Sequence, residues 1–337
     1  MNKYKYLVPA FLLAAVNVSR ACDSCGCEYC DPGLLTLPTI GASPYAISQM
    51  SAVKQSYFFL DLAEQYTDFG TLRNVPAGTS TDQYENSFQT QFIVGYQINQ
   101  DLDIQLNVPY IYRNYRIEDD SGDLLNGQVN GLGDIRLIVN YMALRKETTD
   151  WSANWRVSGG LKIPTGKAGL LDLESPSYSG NSPLASGNTA VGGHDVALGS
   201  GSYDVVLGTG VDLNWHRAFF DADADYTIRG TGEAGYRYSN ELGWSAGPGY
   251  RVWQDDTHSL SVQFRAAGEY KAADTVQGEL TDDTFVSTVA LGPNVMFTWS
   301  NVLAAHIQLE VPVVEEYDPG FQALPTFRIK AGITFRF

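Results

Sequence analysis

Residues 327–337 read FRIKAGITFRF, and the alternation inside this stretch decides the fold. Ile329, Ala331, Ile333, Phe335 and Phe337 share one face of an extended chain, whereas Arg328, Lys330, Gly332, Thr334 and Arg336 share the other. Side chains of a strand point alternately to its two faces. One face of this segment therefore suits hydrocarbon and the other suits water, as in a wall between lipid and an aqueous interior.

The same pattern recurs upstream. Twelve such runs are legible, near 54–66, 88–98, 102–113, 132–144, 151–163, 202–214, 218–230, 236–252, 258–271, 284–298, 302–314 and 323–337. The cleanest sets Leu102, Ile104, Leu106, Val108, Tyr110 and Tyr112 against Asp103, Gln105, Asn107, Pro109, Ile111 and Arg113. In the run before it, Phe88, Phe92, Val94, Tyr96 and Ile98 oppose Gln89, Gln91 and Gln97, and Asn99-Gln100-Asp101 joins the two as a hairpin. Links near 99–101, 145–150, 215–217, 253–257 and 299–301 are short; those near 67–86, 114–131, 164–201 and 272–283 are long. Short turns on one rim and long loops on the other define a periplasmic and an extracellular end.

Composition supports this reading. The chain has 33 Gly and 20 Tyr, and no apolar run of about 20 residues follows the N-terminal region, which excludes a helical membrane protein. Charged residues make up 18% and the net charge is -16, so nucleic acid is not an expected partner, while cations are attracted. A soluble β-sandwich shares the alternation and the turns. It does not account for the polar second face, the strand lengths, or Tyr110, Tyr112, Tyr141, Trp151, Trp155, Trp244, Tyr250 and Trp299 near the segment ends. The expected fold is all-β, a transmembrane antiparallel up-and-down β-barrel of about 12 strands, of the bacterial outer-membrane type.

Three regions follow. Residues 1–21 read as a signal peptide: Lys3 and Lys5, an apolar stretch from Leu7 to Val18, then Ser19-Arg20-Ala21. Residues 22–53 form a cysteine-bearing segment, a plug or a periplasmic extension, and 54–337 form the barrel. All four cysteines, Cys22, Cys25, Cys27 and Cys30, fall in a C-x2-C-x-C-x2-C array. As thiolates they suit Cu(I), Zn or Fe; oxidised in the periplasm they form two disulfides, with three pairings open. Lipid attachment at Cys22 is disfavoured by Arg20, which stands where small or apolar residues are usual.

If the apolar faces meet lipid, the lumen receives Asp103, Arg113, Arg136, Arg156, Arg265, Glu269, His306 and Glu310, with Asp134, Lys162, Asp204, Glu241, Arg328 and Lys330. The run at 218–230 adds a ladder of carboxylates, Asp221, Asp223 and Asp225, about 7 Å apart along the strand. Like charges at that spacing need partners. One reading pairs them with inward Arg or Lys; a sharper one makes them a cation track. A barrel of this size lies between filled eight-stranded barrels and wide porins, so a narrow passage is expected. His194-Asp195 in the loop near 164–201 raises a hydrolase reading, which rests only on adjacency in sequence, and catalysis is not expected.

Four motifs carry a resemblance: QLNVPY at 105–110, GLGDIRL at 131–137, GLKIPTG at 160–166 and GSGSYDVVLG at 199–208. In this order the chain resembles outer-membrane barrels labelled as transporters of the phenol-degradation (MetA-pathway) type, over most of residues 54–337. The resemblance implies solute passage with no fixed substrate. Likeness to the terminal strand of bacterial barrels implies recognition by the barrel-assembly machinery, with the lipid bilayer and a small solute or cation as the other partners. The prolines of VPY and IPTG also have a structural account, since a residue without a donor suits the end of a strand. The alternative function is a structural or interaction barrel that handles metal or electrons through its cysteines.

Overall fold

Each alternating run folds into a strand whose polar groups pair with its neighbours. A computed structural model describes residues 56–71, 80, 82–185, 189, 191–281, 284–300, 302–317 and 325–337. The expected signal peptide, the segment 22–53 and the four cysteines lie outside the described residues. The strands are β1 (Tyr57–Thr71), β2 (Tyr84–Asn99), β3 (Leu102–Glu118), β4 (Leu124–Leu132), β5 (Ile135–Glu147), β6 (Trp151–Ile163), β7 (Asp204–Trp215) and β8 (Ala218–Ile228). There follow β9 (Tyr236–Arg237), β10 (Glu241–Gln254), β11 (His258–Lys271), β12 (Thr275–Val276), β13 (Glu279–Leu280), β14 (Val286–Trp299), β15 (Leu303–Tyr317) and β16 (Phe327–Arg336).

The wall is a closed antiparallel barrel of twelve staves, β4 and β5 together making one of them. Strand β1 pairs with both β2 and β16, from Phe59 opposite Arg336 to Asp68 opposite Phe327. The Phe337 N–H also donates to the Phe58 carbonyl at 2.9 Å. Closure removes the bare edges that lipid could not satisfy. The short strands β9, β12 and β13 form a separate small sheet.

Two local expectations are corrected. The loop expected near 114–131 is mostly strand: β3 runs on to Glu118 and returns as β4. A tight turn makes this possible, in which Asp119 Oδ1 accepts the N–H groups of Ser121 and Asp123, and Gly122 adopts φ +82. Pro109 therefore lies inside a strand and not at its end. It occupies the place where β3 changes partners, pairing with β5 up to Asn107 and with β4 from Tyr110. Its carbonyl accepts Gly133 N–H across that gap, so its missing donor faces a break in the ladder.

The alternation holds along most of the wall and slips at bulges, as where Val252 and Trp253 of β10 are both exposed. Phe58, Leu60 and Leu62 are exposed on the outside of β1, while Phe59, Asp61 and Ala63 are buried inside. Aromatic pairs mark both lipid boundaries, Phe58 with Tyr96 toward the short turns and Tyr66 with Phe88 toward the long loops, each pair with ring centres 4.6 Å apart. The two levels are eight residues apart on β1, about 20 Å of height on a tilted strand.

Glycines take up some of the bulk of these rings. Gly95, Gly127, Gly249 and Gly268 lie opposite Phe59, Tyr115, Phe219 and Trp244 in register, and each ring lies over its glycine. A ring packed on bare backbone covers the ladder and fixes register. Gly95→Val should displace Phe59 and destabilise the barrel by about 1–3 kcal/mol, read from urea midpoints in detergent; an unchanged midpoint would refute this packing role.

Candidate functional site

Two groups of inward charges form within the barrel. In the first, Arg265 of β11 approaches Asp221 at 2.7 Å and Asp223 at 3.6 Å, and Arg156 of β6 approaches Asp223 at 3.5 Å and Asp212 at 3.9 Å. Gln263 Nε2 donates to Asp221 at 2.7 Å, and Arg265 also reaches the Ser245 hydroxyl. Gly210 leaves space for this: a Cβ there would meet the Asp223 carboxylate and Arg156. Two rungs of the ladder are thus ion-paired, and Asp225 is buried above them. In the second group Glu310 meets Lys330 at 2.8 Å and Arg328 at 3.8 Å, and Arg328 lies 3.9 Å from Glu269.

The other expected residues are dispersed. Asp103 accepts Asn140 Nδ2 at 2.8 Å; Arg136 is buried, and His306 lies beside Gly332 on the neighbouring strand. The wall of β1–β3 is lined by carboxamides, Gln65, Gln89, Gln91, Gln105 and Asn107, all buried. Asn107 Nδ2 donates to Gln91 at 2.5 Å, which leaves the Asn107 carbonyl oxygen buried without a protein partner, as are those of Asn140 and Asn154. Carboxamides thus cluster on this part of the inner wall, beside the charged Asp61, Asp103 and Arg113.

The strongest constellation lies at the extracellular rim and joins four residues that the sequence places inward, Asp134, Lys162, Asp204 and Glu241, to Arg229, which that reading omitted. Lys162 meets Asp134 at 2.6 Å and Asp204 at 2.8 Å; Arg229 joins Asp204 at 3.1 Å and also pairs with Glu241. Asp134 in turn accepts the N–H groups of Gly166 at 2.9 Å and Ser200 at 3.0 Å. Three of the four sequence motifs thus converge here: Asp134 from GLGD, Lys162 and Gly166 from KIPTG, Ser200 and Asp204 from GSGSYD. All five charged side chains are at most 3% exposed. Removing one partner from such a group leaves an uncompensated buried charge. The signal for Arg229 was available, since it continues the odd-numbered face of Asp221, Asp223, Asp225 and Thr227.

This cluster anchors the long loop between β6 and β7, which folds onto the barrel's own residues. Segment 191–200 is almost wholly buried. Arg113 of β3 donates to the Asp195 and Ala197 carbonyls, the latter at 3.2 Å, and Tyr238 Oη donates to the His194 carbonyl at 3.0 Å. Ala168, Leu171, Ala197, Tyr236, Tyr238, Val276 and Val286 form an apolar core beneath this cap. A second core joins Ile117 to Leu184, Val191 and Val196.

His194 ties the cap together. Its Nδ1 lies 3.0 Å from Glu174 Oε1 and its Nε2 lies 3.3 Å from Asp195 Oδ1. Only a doubly protonated ring offers a donor on both sides. Both nitrogens are thus engaged by carboxylates, an arrangement that serves as a clamp and not as a hydrolase base. Burial pushes the Glu174 carboxyl up, but the His194 charge and the backbone N–H groups of His194 and Gly193 outweigh it and hold the group at about 2. A depressed carboxyl contributes stability above its ordinary value of 4.5 and loses it as pH falls toward about 2. Amide exchange at 193–200 should therefore quicken across that acid window, and Glu174→Gln should abolish the dependence.

No family model and no curated protein matches the sequence. In three dimensions the chain is similar to an outer-membrane channel from Pseudomonas putida F1, with a TM-score of 0.53 at 16% identity over 85% of this chain and 97% of that one. It is more loosely similar to the transport unit of the autotransporter AIDA-I from Escherichia coli, with a TM-score of 0.41 at 9% identity over 88% and 99% of the two chains. The first likeness establishes the fold: a closed antiparallel barrel of the outer-membrane type.

Proposed function

We propose that the protein is an outer-membrane channel that passes small polar solutes through a narrow lumen lined by carboxamides and ion pairs. The observation that carries this reading is the lining. Asn107, Asn140 and Asn154 hold buried carbonyl oxygens without protein partners, on the same inner surface that carries the ion pairs of Arg156 and Arg265 with Asp221 and Asp223. An interior serving stability alone would be filled with apolar or fully paired groups. The resemblance to barrels of the phenol-degradation type supports solute passage as well and leaves the substrate open. With the cap in the position described, conduction calls for its displacement.

Planar-bilayer recording tests this. The parent barrel should give small, infrequent current steps, and a variant in which residues 169–196 are replaced by a short Gly-Ser linker should give larger and steadier ones. Silence from both proteins, each shown to be folded, would overturn the reading.

A further inference from the structure

Strands β1–β4 continue above the outer aromatic boundary, and their outward face changes character there. In register, Tyr66, Phe88 and Tyr112 lie in one row across β1, β2 and β3. The next outward row toward the extracellular end is Asp68, Asn86, Asn114 and Gln128, one residue from each of four consecutive strands. Above it, Arg116 lies over the Tyr84 ring at 5.3 Å and donates Nε to Asn126 Oδ1 at 2.9 Å. Asn114 Nδ2 donates to Asn86 Oδ1 at 3.2 Å. β4 itself, LLNGQVNGL, bears no charge in a chain of net charge -16, and its outward residues are exposed.

We propose that this face holds the core sugars of an outer-leaflet glycolipid, beyond its lipid A disaccharide. The surface is continuous with the lipid-facing wall and begins where the aromatic boundary ends, the level at which headgroups replace acyl chains. Sugar hydroxyls both donate and accept, and a carboxamide supplies both functions on one side chain. Tyr84 and Tyr112 add flat apolar surface for sugar C–H groups, and Arg116 supplies a cation for a headgroup phosphate. The face looks away from the pore, so the inference is independent of solute passage.

The test compares the parent barrel with Asn86→Ala/Asn114→Ala/Gln128→Ala in nanodiscs, both shown to be folded by heat-modifiable electrophoretic mobility. Native mass spectrometry then reads binding of lipopolysaccharide and of lipid A stripped of its core sugars. The parent should retain lipopolysaccharide about tenfold better than the variant, with no difference for stripped lipid A. Equal retention of lipopolysaccharide by both proteins would overturn the proposal. So would an equal loss of both lipids, or a second barrel copy bound at this face in place of lipid.

Discussion

Lys162→Met is expected to lower the stability of the barrel by about 3–5 kcal/mol, because it strands the buried carboxylate of Asp134 and takes one of two cations from Asp204. Lys162 lies within 2.8 Å of both Asp134 and Asp204, and at 1% exposure neither it nor they can recruit much water. Arg229 continues to neutralise Asp204, but Asp134 retains only neutral donors from Gly166 and Ser200. The loss should therefore appear in two places. Urea unfolding in detergent should shift to lower denaturant, and amide exchange in residues 166–200 should quicken before the wall itself opens. Pairing the change with Asp134→Leu should recover part of the loss, since an apolar replacement of a whole ion pair is often tolerated. A midpoint indistinguishable from the parent in the single variant would show that the cap is held by its apolar cores alone.

The second large effect concerns ion preference. Asp221→Asn/Asp223→Asn/Asp225→Asn keeps the shape of the lining, leaves Arg265 without its carboxylates and leaves Arg156 only Asp212 at 3.9 Å. In the linker variant that opens the cap, this should move the reversal potential toward that of the anion by about 10–30 mV in a tenfold salt gradient, where ideal selectivity is about 59 mV. Arg156→Gln/Arg265→Gln should move it the opposite way. If neither set shifts it, ions do not pass beside this wall. The ion pairs in the structure make the expected sign depend on balance: the acids are set against guanidinium groups and do not act as an unopposed track.

Much of the fold was legible because a membrane wall writes its geometry into every second residue. Ile329 against Lys330, or Leu106 against Gln105, requires no long-range knowledge. The twelve staves and both rims follow from that local code. The rim cluster was harder to see. Lys162 and Asp134 are separated by 28 residues and Ser200 and Asp134 by 66, and nothing local announces that the three motifs share one point. Glu174 is legible only once the cap has folded, since its partner His194 lies 20 residues away. Pro109 misled for a related reason: a missing donor was read as the end of a strand when the ladder alone was interrupted. The β4 extension escaped because Gly127 and Gly131 dilute the alternation of its inner face, while Asn126, Gln128 and Asn130 give its outer face the polarity of a loop.

The seam between β1 and β16 has a kinetic consequence. It joins the contacts of greatest sequence separation in the wall, Phe59 with Arg336 and Leu60 with Phe335. Loop-closure entropy for those pairs is met only when both ends of the barrel arrive together, so every assembly intermediate carries two bare hydrogen-bonding margins. A sheet in that condition invites pairing with other chains. Ring closure should therefore be the slow and vulnerable event, and substitutions that weaken the seam should delay maturation far more than they hasten its undoing.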